Sequence, residues 1–129
     1  MPKETHQGGG GNYPPPGYLA SIENAESAHD TNKSDSSTGA RGAFQFMPGT
    51  AAEYGVKDPK DVRQAAAGAA KYLMAMGSEF HHDWGKVAAG YNWGQGNVEN
   101  AVKKWGDKWL EHAPPETRHY VREVMEGVD

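Results

Sequence analysis

Apolar side chains recur at helical spacing over most of the chain after residue 17. In the Ala-rich segment Val62–Met76, for example, Ala66, Leu73 and Met76 fall on one side of a helix, and Gly77 is expected to end it. The same reasoning predicts about six helices, which cover Tyr18–Asp30, Thr50–Tyr54, Val62–Met76, Trp84–Tyr91, Val98–Trp105 and Glu116–Met125. No segment of useful length alternates apolar and polar residues as a strand would. The pattern therefore predicts a compact all-α domain in which helix ends and loops form any cleft.

The first 17 residues lack this periodicity. They read MPKETHQGGGGNYPPPG, in which four glycines are followed by three prolines. Such a composition predicts a flexible tether over residues 1–17, ahead of a single domain over residues 18–129. A secretory signal needs an apolar stretch after a basic start, and this segment contains no apolar stretch.

Composition narrows the class of protein further. The chain has 129 residues, and its 13 Lys and Arg against 17 Asp and Glu give a formal charge of −4. The absence of cysteine excludes disulfides, zinc–thiolate sites and thiol catalysis. A mildly acidic balance argues against a nucleic-acid-binding protein, and no apolar run approaches the roughly 20 residues of a membrane span. A domain of this size is expected to be a monomer.

Glu26 stands on the apolar side of the first predicted helix. On a helical wheel that sets Leu19 at zero, Ile22 falls at about 300°, Glu26 at about 340° and Glu23 at about 40°. A carboxylate among apolar side chains is costly, and its desolvation raises its pKa. Two interpretations stay open at this point. Glu26 is either a general acid that keeps its proton near neutral pH, or a structural residue paired with Arg41 or a backbone amide.

The segment that follows combines small, polar and aromatic residues. Gly39 and Gly42 allow the backbone to approach a ligand closely. Gln45 stands between Phe44 and Phe46, and a polar amide within an aromatic patch is typical of carbohydrate sites, where rings stack on sugars and amides bind hydroxyl or N-acetyl groups. Packing in the core is the alternative role for the phenylalanines.

Four segments in order resemble the motifs of one enzyme family. They are Glu26-Ser27, SSTGARGAFQFMPGTA (36–51), AAGYNWG (88–94) and PETRHYV (115–121). These resemble the Glu-Ser pair, S-x-x-G-A-x-G-x-x-Q-x-M-P-x-T-A, A-x-A-Y-N-x-G and P-E-T-x-x-Y-V of the lytic transglycosylases that have the soluble-transglycosylase, goose-lysozyme-like fold. The resemblance implies a lysozyme-like single domain with a glycan-binding cleft.

The resemblance also implies roles for individual residues. Glu26 would be the single catalytic acid and base. Tyr91 would face Glu26, Asn92 would hold a turn, and Glu116 would be a buried acid that braces the site with support from Tyr120. The residues expected to bind substrate are Ser36, Gln45, Phe46, Met47, Tyr91, Asn92, Glu116 and Tyr120.

The substrate implied is peptidoglycan, cleaved at the β-1,4 bond from N-acetylmuramic acid to N-acetylglucosamine with formation of 1,6-anhydromuramic acid ends. No metal or cofactor is expected. The enzyme would act on the bacterial cell wall or in the periplasm, delivered by a bacteriophage virion or a lysis system, with a secretion-system enzyme as the second choice. Two alternatives stay open. One is a hydrolytic muramidase (lysozyme or endolysin), for which Asp30 or Asp35 would supply the second carboxylate, and the other is a non-catalytic cell-wall-binding module.

Overall fold

Six α-helices and one 3₁₀ helix make up most of the part of the chain that the structure describes. The computed structural model describes residues 13–28, 44–46 and 48–128. The α-helices are α1 (Tyr18–Ala28), α2 (Pro48–Glu53), α3 (Val62–Glu79), α4 (Trp84–Trp93), α5 (Gln95–Trp105) and α6 (Pro115–Glu126), and the 3₁₀ helix spans Gly106–His112. The described residues form no β-strand. The predicted all-α class and the number of α-helices are confirmed.

Helix α4 lies at the centre of the domain. It packs against α3, α5 and α6, while α1 packs against α3 and α6. Its buried residues, Trp84, Val87, Ala88, Ala89 and Gly90, are mostly small, which lets three neighbouring helices approach it. The far end of α4 opens onto the cleft described below.

Two long-range hydrogen bonds hold α1 in place. The hydroxyl of Tyr18 donates to the carbonyl oxygen of Trp84 at 2.6 Å, and the hydroxyl of Ser21 donates to the carbonyl oxygen of Val124 at 2.7 Å. Both bonds are buried, where an unpaired hydroxyl would be costly. The helix that carries Glu26 is therefore fixed to both α4 and α6.

Several predicted helix ends differ from the structure. Helix α3 continues past Gly77 to Glu79, because Gly77 is not a cap but a point of close approach. A Cβ atom there would lie 2.6 Å from Cη2 of the Trp84 ring. Helix α2 begins at Pro48 rather than at Thr50, and α5 begins at Gln95 rather than at residue 98. The 3₁₀ helix was not predicted. The division into a tether over residues 1–17 and a domain over residues 18–129 stays a prediction.

Candidate active site

Glu26 lies in the last turns of α1, half-buried, and faces α6. Its Oε2 accepts a hydrogen bond of 2.6 Å from the hydroxyl of Tyr120. Burial raises the pKa of Glu26 from 4.5 to about 7. The hydrogen bond from Tyr120 opposes this change, and the negative charge of Glu116 adds to it. At neutral pH the Glu26 carboxyl group therefore exists in both protonated and ionised forms, as a group that first gives and then takes a proton requires.

Two tyrosines flank this carboxyl group. Burial, with the charge of Glu26 as the next cause, raises the pKa of both Tyr91 and Tyr120 well above 10. The hydroxyl of Tyr91 donates to the carbonyl oxygen of Phe44 at 2.7 Å and so links α4 to the segment that carries Gln45. Both phenols stay protonated at neutral pH and act as hydrogen-bond donors.

A cavity of about 290 Å³ opens beside Tyr91. Its walls combine aromatic rings with amide and hydroxyl groups. The lining residues are Gln45, Phe46, Thr50, Tyr72, Gly90, Tyr91, Asn92, Trp93 and Gly94. Glu26 does not line this cavity but lies next to it, since its charge acts directly on Tyr91. The arrangement suits a sugar, with rings to stack on its faces and polar groups for its hydroxyl and N-acetyl substituents.

Gln45 holds a backbone conformation that is rare for its residue type. Its φ of 51° lies in the left-handed region, where a Cβ atom is crowded by the backbone. Phe44 and Phe46, on either side, are almost completely buried and hold the segment in the core. Strain of this kind persists where surrounding structure imposes it, and it occurs preferentially at binding and catalytic sites.

Asn92 is fixed by a residue from the last helix. It lies in the last turn of α4, and its Oδ1 accepts a hydrogen bond of 2.8 Å from the hydroxyl of Thr117 in the first turn of α6. Thr117 is buried, with 2% of its surface exposed. The cavity wall thus depends on a contact between α4 and α6.

The structure brings together most of the residues predicted for the site. Glu26 and Tyr120 are hydrogen-bonded, Tyr91 lies beside them, and Gln45, Phe46 and Asn92 line the cavity. Phe46 is also a core residue, with 2% of its surface exposed, and its role in substrate binding stays a prediction. Ser36 and Met47 lie outside the described residues, as do the alternative carboxylates Asp30 and Asp35 and the alternative partner Arg41.

The predicted burial of Glu116 is wrong. Its side chain is exposed. Glu116 occupies the first turn of α6, about 90° from the centre of the stripe formed by Thr117, Tyr120, Val121 and Val124. A carboxylate there stays hydrated and avoids the cost of burial. Its effect on the site is electrostatic, through the pKa of Glu26.

Six residues of the site were not predicted from the sequence. Thr117 fixes Asn92, and the cavity is also lined by Thr50, Tyr72, Gly90, Trp93 and Gly94. Thr117 and Tyr120 are three residues apart on α6 and so share a face, which is the one signal that could have identified Thr117. Tyr72 belongs to a helix whose pattern indicated only core packing, and its ring lies 5.5 Å from that of Tyr91.

Other kinds of site receive no support from the described residues. Within residues 13–28, 44–46 and 48–128, no three His, Asp or Glu side chains lie close enough together to hold a metal ion. None of the helices in these ranges is long and apolar enough to cross a membrane.

Comparison with known proteins identifies relatives of this chain. Residues 7–112 match the family model described as the transglycosylase SLT domain. The chain is 30% identical over 122 residues to the membrane-bound lytic murein transglycosylase D of two Escherichia coli strains, a match that covers 85% of this chain and 27% of each relative. The fold is similar to that of an inactive mutant of the lytic transglycosylase Slt from Pseudomonas aeruginosa, with a TM-score of 0.68 and 28% identity over 84% of this chain and 20% of that one. The chain thus spans about a quarter of the length of the Escherichia coli relatives and a fifth of the Pseudomonas aeruginosa chain.

Proposed function

Because the chain belongs to the transglycosylase SLT domain family, we propose that it cleaves peptidoglycan as a lytic transglycosylase. The observation that carries this proposal is the state of Glu26, a half-buried carboxyl group with a pKa of about 7 beside a cavity suited to a sugar. The relatives named lytic murein transglycosylase and lytic transglycosylase support the same reaction. A non-catalytic binding module would have no use for a carboxyl group in this state.

In the first step, protonated Glu26 gives its proton to the glycosidic oxygen between N-acetylmuramic acid and N-acetylglucosamine. The bond from this oxygen to the anomeric carbon then breaks. Since Oε2 accepts the hydrogen bond from Tyr120, Oε1 is the oxygen left to carry the transferred proton. The acetamido oxygen of the muramic acid attacks the anomeric carbon, which gives an oxazolinium ion.

In the second step, ionised Glu26 acts as a base. It takes the proton of the hydroxymethyl group of the same sugar, whose oxygen attacks the anomeric carbon and displaces the acetamido oxygen. A 1,6-anhydro ring results, and Glu26 is protonated again for the next cycle. The hydrogen bond from Tyr120 stabilises the ionised form that exists between the two steps.

A hydrolytic muramidase is the second candidate, and Glu116 is the observation that favours it. Hydrolysis uses a second carboxylate, either as nucleophile or as a base for water. Among the described residues, Glu116 is the carboxylate whose charge reaches Glu26, and its exposed side chain is accessible to water. The two candidates differ in their product, which the following experiment identifies.

Mass spectrometry of soluble fragments released from purified peptidoglycan tests the proposal. Fragments with 1,6-anhydro ends, which are one water lighter than hydrolysis products, are expected. Reducing ends would assign a muramidase and direct attention to Glu116. No release by folded protein would contradict both candidates and favour a binding module.

Two variants of α1 form a matched pair for this assay. Glu26→Gln should abolish fragment release, since the amide cannot transfer a proton. Glu23→Gln removes a carboxyl group from the same helix, three residues earlier, and should leave release nearly unchanged. An inactive Glu23→Gln variant would show that the wrong acid has been identified.

We also propose that the protein acts on the cell wall as a monomer. Light scattering after size-exclusion chromatography tests the oligomeric state. Delivery by a bacteriophage virion or a lysis system stays a prediction, which mass spectrometry of purified phage particles from a host that carries the gene would test.

A further inference from the structure

The hydrogen bond from Thr117 to Asn92 fixes which way the Asn92 side chain is turned. An asparagine amide has one carbonyl oxygen and one NH₂ group, on opposite sides of the same carbon. Because the hydroxyl of Thr117 donates to Oδ1 at 2.8 Å, the NH₂ group is turned away from Thr117. Asn92 is half-buried and lines the cavity, and with Oδ1 engaged by Thr117 its NH₂ group is the part of the amide left to bind a ligand.

Thr117 has no helical carbonyl oxygen four residues earlier, the usual local partner of a threonine hydroxyl in a helix. The residue at that position, Ala113, precedes α6 in an extended conformation. The buried hydroxyl of Thr117 instead bonds across to α4.

The contact is not needed to attach α6 to the rest of the domain. Tyr120, Val121 and Val124 are buried against the core, and the carbonyl oxygen of Val124 already accepts the hydroxyl of Ser21. Loss of one further hydrogen bond would leave these contacts in place. A role in orienting a side chain of the cleft therefore explains the contact better than attachment of the helix.

We infer that Thr117 is a positioning residue, which turns the Asn92 amide so that its NH₂ group donates to an oxygen of an N-acetylated sugar bound in the cavity. This inference rests on the proposed function for the class of ligand. Without the Thr117 hydroxyl the amide can rotate, and the two orientations place an acceptor or a donor toward the sugar. One neutral hydrogen bond corresponds to roughly a three- to tenfold change in affinity.

Binding to a catalytically inactive protein measures this effect without turnover. The parent is the Glu26→Gln chain, the probe is a β-1,4-linked hexamer of N-acetylglucosamine, and the readout is Kd by isothermal titration calorimetry. Thr117→Val, which keeps the shape of the side chain but not its hydroxyl, should raise Kd roughly three- to tenfold. Thr117→Ser, which keeps the hydroxyl, should stay within about twofold of the parent. If the valine variant does not fold, Thr117→Ala takes its place in the comparison with serine.

A second pair of variants tests whether Thr117 acts through Asn92. Asn92→Ala should raise Kd by itself, and adding Thr117→Val to it should cause no further change. Ser21→Ala is the control, since it removes another buried hydroxyl that bonds to α6, away from the cavity. It should lower Tm and leave Kd unchanged.

Three results would overturn the inference. One is a Thr117→Val variant with a lower Tm and an unchanged Kd, which would make the contact purely structural. Another is an effect of Thr117→Val that persists in the Asn92→Ala background. The third is failure of the parent to bind the hexamer, since no acceptor would then reach Asn92. The proposed reaction is tested separately by the fragments that the wild-type protein releases, so the two ideas can fail independently.

Discussion

Replacing Glu26 with glutamine should make the protein more stable at neutral and alkaline pH. Glutamine has the same shape, carries no charge, and keeps an oxygen that can accept the hydrogen bond from Tyr120. The wild-type protein must hold an ionised carboxyl group in a desolvated position once its proton is lost. The variant avoids this cost, so the residue proposed as the catalytic acid is expected to reduce stability.

The size of the effect follows from the pKa. Burial raises the pKa of Glu26 from 4.5 to about 7, and each unit corresponds to about 1.4 kcal/mol, which gives about 3 kcal/mol in total. Between these two pKa values the folded state binds more protons than the unfolded state, so wild-type stability falls as pH rises. The contribution of the protonated carboxyl group is complete below pH 4.5 and lost above pH 7. At the alkaline end, a gain of about 3 kcal/mol corresponds to a Tm increase of about 10 °C for a domain of this size.

Urea unfolding at pH 4, 7 and 9 measures the prediction directly. The difference in unfolding free energy between Glu26→Gln and wild type should be near zero at the lowest pH and approach its full value at the highest. Glu23→Gln, which removes a carboxyl group from the same helix, is measured alongside as the control. A Glu26→Gln variant with no advantage at pH 9 would refute the reasoning, because Glu26 would then be ionised at no cost.

Three other substitutions test the cleft and the core. Tyr120→Phe removes the hydrogen bond that lowers the pKa of Glu26, so the alkaline fall of kcat/KM should move to higher pH. A pH–rate profile measures this shift, and an unchanged alkaline limb would contradict it. Gln45→Gly should stabilise the protein by about 1 kcal/mol, because glycine adopts a φ of 51° without strain, and should lower activity because the amide is lost. Urea unfolding and fragment release measure the two effects, and a destabilised glycine variant would disprove the strain. Gly77→Ala should cost about 1–3 kcal/mol, since its Cβ atom would lie 2.6 Å from the buried ring of Trp84. An unchanged Tm would mean that the ring can move aside.

The sequence predicts Glu26 as the candidate acid because part of its signal is local. Glu26 and the apolar residues of α1 lie within one helix, so a helical wheel is enough to place the carboxylate on the apolar side of that helix. Gln45 was predicted for a similar reason, as a polar amide between two aromatic residues, and the structure places both phenylalanines in the core. Both signals require only neighbouring residues.

The parts that were missed depend on contacts between distant segments. Gly77 does not end α3, because Trp84 packs against it, and sequence spacing does not reveal that contact. The exposure of Glu116 depends on how α6 is rotated against the core. The 3₁₀ helix Gly106–His112 was missed because three residues per turn give no periodicity of 3.6 to detect.

The connections of α1 determine when the active site can exist during synthesis. Glu26 is translated early, but its partner Tyr120 lies 94 residues later, and Ser21 bonds to a carbonyl oxygen 103 residues later. In a nascent chain whose α6 is still within the ribosome, Glu26 is present but lacks the neighbouring groups that set its pKa. Contacts of such long range form late in folding, since closing large loops is slow. A product that ends before Tyr120 would keep Glu26, Gln45 and Asn92 and lack the hydroxyl group that bonds to Glu26.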